Sequence, residues 1–185
     1  SIACEGPFGR AEFLAPPHLM AVLERLLGPD LIFANLTSVT SLGGARAQSW
    51  HRDNYELFPE NENLVSPRFN ITVVVPITPI TEDMGSTDII LGSHLSQEAT
   101  ITSETKIARA RANPGDCYMW DCRTIHRGLP NTSDKIRPIL CPTYTRDWYR
   151  DTGNFQDQPR LTISRETAEK LPEQVNRLVR WVFKP

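Results

Sequence analysis

The sequence predicts a mainly β domain, an antiparallel sandwich or barrel flanked by helices. Two observations predict it. From residue 45 to about residue 147, short runs rich in β-branched and aromatic residues alternate with turn clusters. Those clusters carry Pro79, Asp83-Met84-Gly85, Gly92-Ser93, Asn113-Pro114-Gly115-Asp116 and the polar stretch 128–134. The gaps between the runs are also too short for the helical crossovers that a parallel sheet needs. With 185 residues the chain can bury one core without help from a disulfide or a metal. A single domain over 1–185 is expected, with its β core at about 31–147.

Taken in order, the start is irregular as far as Pro16-Pro17. His18 to Leu27 then places Leu19, Val22, Leu23, Leu26 and Leu27 at helical spacing, and Gly28-Pro29-Asp30 stops the helix. A strand is expected over 31–39, followed by the breaker Gly43-Gly44. Further strand candidates are 45–53, 68–77, 87–91, 100–102, 107–112, 117–120, 124–127 and 136–144. Pro138 brings no ladder donor to the last of these, which predicts an edge strand or a local bulge there. At the tail, Ser164 can cap a turn ending near Lys170. Pro172 suits the first position of a second helix, whose apolar stripe is Val175, Leu178, Val179 and Val182.

The formal net charge is −2, which offers no electrostatic footprint for nucleic acid or an anionic membrane. No run reaches the roughly 18 apolar residues of a membrane helix. Cys4, Cys117, Cys122 and Cys141 form no C-x-x-C pair. They read as reduced thiols, which favours the cytoplasm. The chain opens on Ser1, so an incomplete N-terminal part is expected.

The candidate chemistry begins at Trp50-His51-Arg52-Asp53. On a strand, His51 and Asp53 share one face, and an imidazole beside a carboxylate can supply two adjacent ligands for a divalent metal. A second histidine would complete the two-His, one-carboxylate arrangement that leaves positions open on an iron for cosubstrate and dioxygen. Alone, H-x-D also fits a His–Asp hydrogen bond on a strand. A second segment runs from the turn Pro114-Gly115-Asp116 through a strand ending at His126. It then crosses a polar turn into a strand bearing Arg137. Adjacent strands can bring His126 and Arg137 to one cavity, where a buried guanidinium suits a carboxylate. The plainer readings are a strand-end His126 bonded to backbone and an Arg137 paired with a structural Asp or Glu.

These motifs together resemble the phytanoyl-CoA dioxygenase family of Fe(II)/2-oxoglutarate oxygenases. His51-x-Asp53 is similar to the family's first metal-binding pair. Gly85 to His94, ending Gly92-Ser93-His94, is similar to its G…(P)GSH strand and turn, with Leu91 where the family usually has proline. Pro114-Gly115-Asp116 resembles its PGD turn, and 161–172 its C-terminal tail. His126-x-Gly128-x-x-Asn131-x-Ser133-x-x-x-Arg137 follows its distal H-x-G-x-x-N-x-S-x-x-x-R pattern throughout. The resemblance covers roughly residues 45–175, and the long distal pattern is its specific part.

The resemblance implies a double-stranded β-helix, a jelly-roll or cupin-like core with an N-terminal helix and short C-terminal helices. It implies His51, Asp53 and His126 as iron ligands and Arg137 as the grip on the distal carboxylate of 2-oxoglutarate. Gln48 and Thr87 are further cosubstrate candidates by the same resemblance. Gln48 lies three residues from His51, so it needs irregular backbone to reach the same site. The implied reaction uses Fe(II), 2-oxoglutarate and dioxygen to oxidise a small organic molecule, with hydroxylation as the default. Related halogenases replace the carboxylate with a small residue, and Asp53 leaves no such vacancy. Gln48 leans the reading towards a natural-product intermediate. No nucleic-acid or membrane partner is expected, and a homodimer could cover the barrel mouth. The rival is a metal-binding jelly-roll module without 2-oxoglutarate chemistry, and Arg137 discriminates against it.

Among the remaining residues, His18 reads as surface or capping and His94 as fixing a turn. Trp50, Tyr118 and Trp120 read as core packing. Tyr55 and Phe58, in the polar segment after the ligand pair, read first as packing and second as lining for the substrate pocket. Arg109, Arg111, Arg146 and Arg150 read as solvated cations.

Overall fold

The computed structural model describes residues 1–61, 64, 66–96, 100–157 and 159–183. The helical start comprises a 3-10 turn at Gly6–Gly9, α1 (Ala11–Leu14) and α2 (Pro17–Leu27). Seven strands follow: β1 (Ile32–Ser41), β2 (Asn70–Pro76), β3 (Thr87–Ile90), β4 (Ile107–Ala110), β5 (Tyr118–Asp121), β6 (His126–Gly128) and β7 (Arg137–Thr145). Two short helices, α3 (Arg165–Glu169) and α4 (Glu173–Val179), close the described chain with a 3-10 turn at Arg180–Phe183. Among the described residues the strands form two sheets, in the orders β1-β7-β2-β5 and β4-β3-β6. Sequence neighbours are separated in the first sheet, whereas the second joins the consecutive strands β3 and β4 and adds β6 on the other side of β3.

The chain divides into two compact units. The first comprises 1–38, 68–71 and 141–185, and the second 39–67 and 72–140. In the first unit, Leu14, Leu23, Leu27, Phe33, Leu36, Tyr144, Leu178 and Val179 are buried. Phe33 and Tyr144 meet edge to face at 5.1 Å, and the Tyr144 hydroxyl donates to the Leu14 carbonyl at 3.0 Å. Gly28 ends α2 at φ +91°, where a side chain would be strained. Val22, expected in the apolar stripe of α2, is instead 44% exposed. The inward stripe is the narrower Leu23–Leu27 pair. Ser164 caps α3 by accepting from the Thr167 N–H at 3.1 Å. Pro172 stands at the N-cap of α4, one residue before the expected position.

The second unit holds the three-stranded sheet. β3 pairs antiparallel with β4 (Thr87 opposite Ala110) and with β6 (Thr87 opposite Gly128, Ile89 opposite His126). The polar turn after β6 is organised by Asn131, which is 1% exposed. Its amide nitrogen donates to Lys135 O at 2.8 Å and Ser41 O at 3.3 Å, and its Oδ1 accepts from Ser133 Oγ at 2.7 Å. Gly85 is required on two counts. Its φ is +77°, and a Cβ there would stand 2.6 Å from the Leu129 carbonyl oxygen.

Four expectations differ from what the structure holds. Residues 45–53 form no strand, and 100–102 form none either. The first segment touches the sheet by single contacts, including an isolated bridge between His51 and His126. The chain start is helical over 6–9 and 11–14, where irregular backbone was expected. β7 is neither an edge nor described as bulged, since it lies between β1 and β2. Pro138 is tolerated there as the second residue of the strand, where its carbonyl accepts from Ile77 N at 3.3 Å. Among the described residues no helix is long and apolar enough to cross a membrane. All four cysteines are free thiols, and burial pushes the Cys4 thiol up to about 12.

Candidate metal centre

The site lies wholly in the second unit and is assembled by backbone pairing. His51 and His126 exchange both main-chain bonds, N–H to O at 3.0 and 2.9 Å. Such a hydrogen-bonded pair sets two side chains on the same face. The Asp53 N–H donates to Cys122 O at 3.0 Å, which secures the next residue of the motif. Arg52, between the two, turns the other way as the period of an extended segment demands. Its guanidinium donates to Arg123 O at 2.6 Å, Ser96 O at 2.7 Å and Ser93 O at 3.0 Å. Ser93 is itself buried between the Ile90 carbonyl and the Ile125 N–H, both at 2.8 Å. The Gly92-Ser93-His94 turn thus braces the H-x-D segment from behind, and His94 stands outside the ligand cluster.

His51, Asp53 and His126 each offer a ligand atom within 4.8 Å of the others. That is close to the roughly 4 Å that two ligands about 2 Å from one ion can span. Both imidazoles are held alike. Nδ1–H of His51 donates to Ser49 O at 2.8 Å, and Nδ1–H of His126 donates to Thr124 O at 2.9 Å. A carbonyl only accepts, so these bonds place the proton on Nδ1 and leave Nε2 as the ligand atom. Burial pulls the His126 pKa below the ordinary histidine value, although the Asp53 carboxylate opposes it. The neutral ring a metal needs is therefore the favoured form. Asp53 Oδ1 stands 3.7 Å from His126 Nε2. The opposite oxygen, Oδ2, accepts from Trp120 Nε1 at 3.1 Å and from Thr72 Oγ1 at 3.4 Å. Two imidazoles and a carboxylate on one side suit a non-haem divalent iron.

The other expected residues take these places. Arg137 is 4% exposed, and its Nε donates to the Met84 carbonyl at 3.1 Å, just before β3. Thr87 on β3 shares a sheet face with His126 through the β3–β6 register. Its hydroxyl lies 3.3 Å from Tyr118 Oη. Gln48 lies on irregular backbone beside Gly128, the end of β6 away from His126. It exchanges bonds with Gly128, N–H to Gly128 O at 2.9 Å and Gly128 N–H to Oε1 at 2.8 Å. A Cβ on residue 128 would stand 2.8 Å from that Oε1, so glycine makes room for Gln48.

Trp120 and Tyr118 are more than the core packing expected of them. They are two apart on β5 and so share a face, with ring centroids 5.9 Å apart. Trp120 also lies 4.5 Å from the His126 ring. That alternation was the available signal, but no residue pattern says which face of a strand meets a ligand. Trp50, by contrast, lies under the Arg127 guanidinium at 4.3 Å. Tyr55 (74%) and Phe58 (48%) are exposed and so lie outside the core. Sequence reasoning also passed over Arg123, which is 2% exposed between Asp121 at 2.9 Å and Glu56 at 2.7 Å. Its hydrogen bonds to Asp121, against the cost of burial, hold its pKa above the ordinary arginine value. The arginines read as solvated include Arg109, which pairs with the buried Asp88 at 2.8 Å.

Comparison with known proteins places this arrangement in a class of mainly β, non-haem oxygenase folds. The epimerase SnoN from nogalamycin biosynthesis, a non-heme alpha ketoglutarate dependent enzyme, superposes with a TM-score of 0.60 at 21% identity. The match covers 77% of this chain and 58% of that one. The carbocyclase SnoK from the same biosynthesis gives 0.57 at 20% identity over 84% and 68%. Both share the jelly-roll fold.

The sequence model of the phytanoyl-CoA dioxygenase (PhyH) family matches residues 4–139, and the chain belongs to that family. Among curated relatives, the iron/alpha-ketoglutarate-dependent dioxygenase ausO of Aspergillus calidoustus is 28% identical over 187 residues, covering 95% of this chain and 60% of the relative. The multifunctional dioxygenase prhA of Penicillium brasilianum is 32% identical over 139 residues, covering 69% and 46%. The chain thus spans 46% to 60% of the length of these relatives.

Proposed function

We propose that this chain carries the catalytic core of an Fe(II)- and 2-oxoglutarate-dependent oxygenase acting on a small organic molecule. The observation that carries the reading is the convergence of His51, Asp53 and His126, with ligand atoms within 4.8 Å of one another and both Nδ1 positions already committed. Membership of the family and the relatives named as iron/alpha-ketoglutarate-dependent dioxygenases support it. His51 and His126 would hold the ion through Nε2 and Asp53 through Oδ1. When bound, the iron would supply the redox chemistry by which dioxygen oxidises 2-oxoglutarate to succinate and carbon dioxide and then oxidises the substrate.

The chain's own part is to bind, orient and exclude water. The buried Arg137 would grip the distal carboxylate of 2-oxoglutarate, with its Nε on Met84 fixing the direction of the fork. Thr87 and Gln48 would border the cosubstrate from β3 and from the Gly128 end of β6. Trp120 and Tyr118 would form an aromatic wall beside the ion. As a ligand Asp53 would leave no vacancy for a halide, so hydroxylation is the outcome proposed first. A natural-product intermediate is the substrate class proposed, on the strength of Gln48.

Calorimetry with Mn(II) in place of iron tests the reading. We expect 2-oxoglutarate to bind only when the metal is present. Metal binding without any 2-oxoglutarate binding would instead favour a metal-binding module.

A further inference from the structure

Asp53 has two chemically equivalent oxygens and a side chain that can rotate, yet only one oxygen faces His126. The cause lies on the far side of the carboxylate. Oδ2 accepts from the indole Nε1–H of Trp120 at 3.1 Å and from the Thr72 hydroxyl at 3.4 Å. Turning the carboxylate out of this orientation would give up both bonds. The indole is itself located by its neighbours. It lies 4.5 Å from the His126 ring at an interplanar angle of 38°, and 5.9 Å from the Tyr118 ring at 37°. One side chain therefore touches two of the three candidate ligands, the carboxylate through its N–H and the imidazole through its face. We propose that Trp120 is a positioning residue for the metal carboxylate, holding Asp53 by Oδ2 so that Oδ1 is the oxygen presented to the ion. Thr72 is the weaker second holder of the same oxygen. The inference rests on the reading of His51, Asp53 and His126 as metal ligands. Partners that orient a metal ligand commonly set metal affinity by about 10–100-fold.

The test is a Co(II) titration of the whole chain, read by calorimetry and by the visible absorption of bound cobalt. It is run on the wild type, Trp120→Phe and Thr72→Val, with the melting of each metal-free protein measured alongside. Phenylalanine keeps a ring beside His126 and removes only the N–H donor. The expected result is one cobalt bound by the wild type and a dissociation constant about tenfold or more higher in Trp120→Phe. The cobalt spectrum should also change, because the carboxylate becomes free to rotate. Thr72→Val should shift both readouts in the same direction by less. A Trp120→Phe protein that binds cobalt within twofold of the wild type, with an unaltered spectrum, overturns the inference and leaves the metal site standing. No cobalt binding by the wild type overturns the metal site and the inference with it. Should Trp120→Phe fail to fold, Thr72→Val decides. Weaker binding with a shifted spectrum upholds the shared hold on Oδ2, and unchanged binding overturns it.

Discussion

His51 and His126 are oriented by one device used twice: each donates Nδ1–H to the carbonyl two residues upstream. The device needs no partner side chain, so it operates wherever an extended segment places the carbonyl correctly. It also explains why both Nε2 atoms meet on the same side of the bridge. Removing one ring should therefore remove the metal and little else. In His126→Ala we expect metal binding to be lost while the far-ultraviolet circular dichroism spectrum stays that of the wild type; retained metal binding would contradict the ligand assignment. Arg137 makes a different prediction. Arg137→Ala should raise the 2-oxoglutarate concentration needed for half-saturation at least tenfold and leave metal affinity within about twofold, since a charged hydrogen bond contributes roughly 1.5–3 kcal/mol. Paired titrations of metal and cosubstrate separate the two effects.

The strands and turns act as spacers for those side chains, and glycine is where that role is sharpest. Gly85 combines a φ of +77° with a Cβ position 2.6 Å from a backbone carbonyl, whereas Gly115 has a φ of +99° and open space. Gly115→Ala should cost about 1 kcal/mol from backbone strain alone. Gly85→Ala should cost about 3 kcal/mol or more, because the Leu129 carbonyl must also move. Denaturant unfolding of the two variants measures the difference, and equal losses would contradict the account.

This is also the scale at which the sequence was most and least informative. β1, β2, β3, β5 and β7 follow runs of β-branched and aromatic residues closely, because local preference and burial agree there. Residues 45–53 read as a strand but hold only an isolated bridge, at His51. Their backbone bonds are supplied singly, by Gly128 to Gln48 and by Asn131 to Ala45 and Gly44, and such contacts leave no periodicity to read. The H-x-D spacing and the distal His-Gly-Asn-Ser-Arg pattern were legible because each residue does a separable task. Trp120 was not, because an aromatic that orients a ligand and one that fills a core have the same strand signature. Pro138 misled because its place near the start of β7, rather than an edge, removes the need for its N–H.

At the scale of the whole molecule, a buried ionic cluster links stability to pH. The Arg123–Asp121–Glu56 cluster ties the segment after the ligands to the strand end beside them, with Arg123 also donating to Ser66 O at 2.9 Å. Burial pushes the Glu56 carboxyl up, but hydrogen bonds from Ser66 and Arg123 outweigh it and hold it below the usual carboxylate value. A carboxyl depressed in the folded state contributes stability that is present above its unfolded pKa of about 4.3 and is lost as pH falls through the folded value. Melting temperature should therefore fall as the solution is acidified below about pH 4. The fall should be shallower in Glu56→Gln, which can neither gain nor lose that proton; an identical acid profile would remove Glu56 from the account.

The central claim, that this PhyH-family chain binds iron and 2-oxoglutarate together, is tested most directly by an anaerobic titration with Fe(II) and then 2-oxoglutarate, watched in the visible for the weak charge-transfer band of the chelate. The account predicts a band that requires both additions and that in Arg137→Ala needs at least tenfold more 2-oxoglutarate to reach half its height. Tight metal binding with no band at saturating 2-oxoglutarate would contradict it.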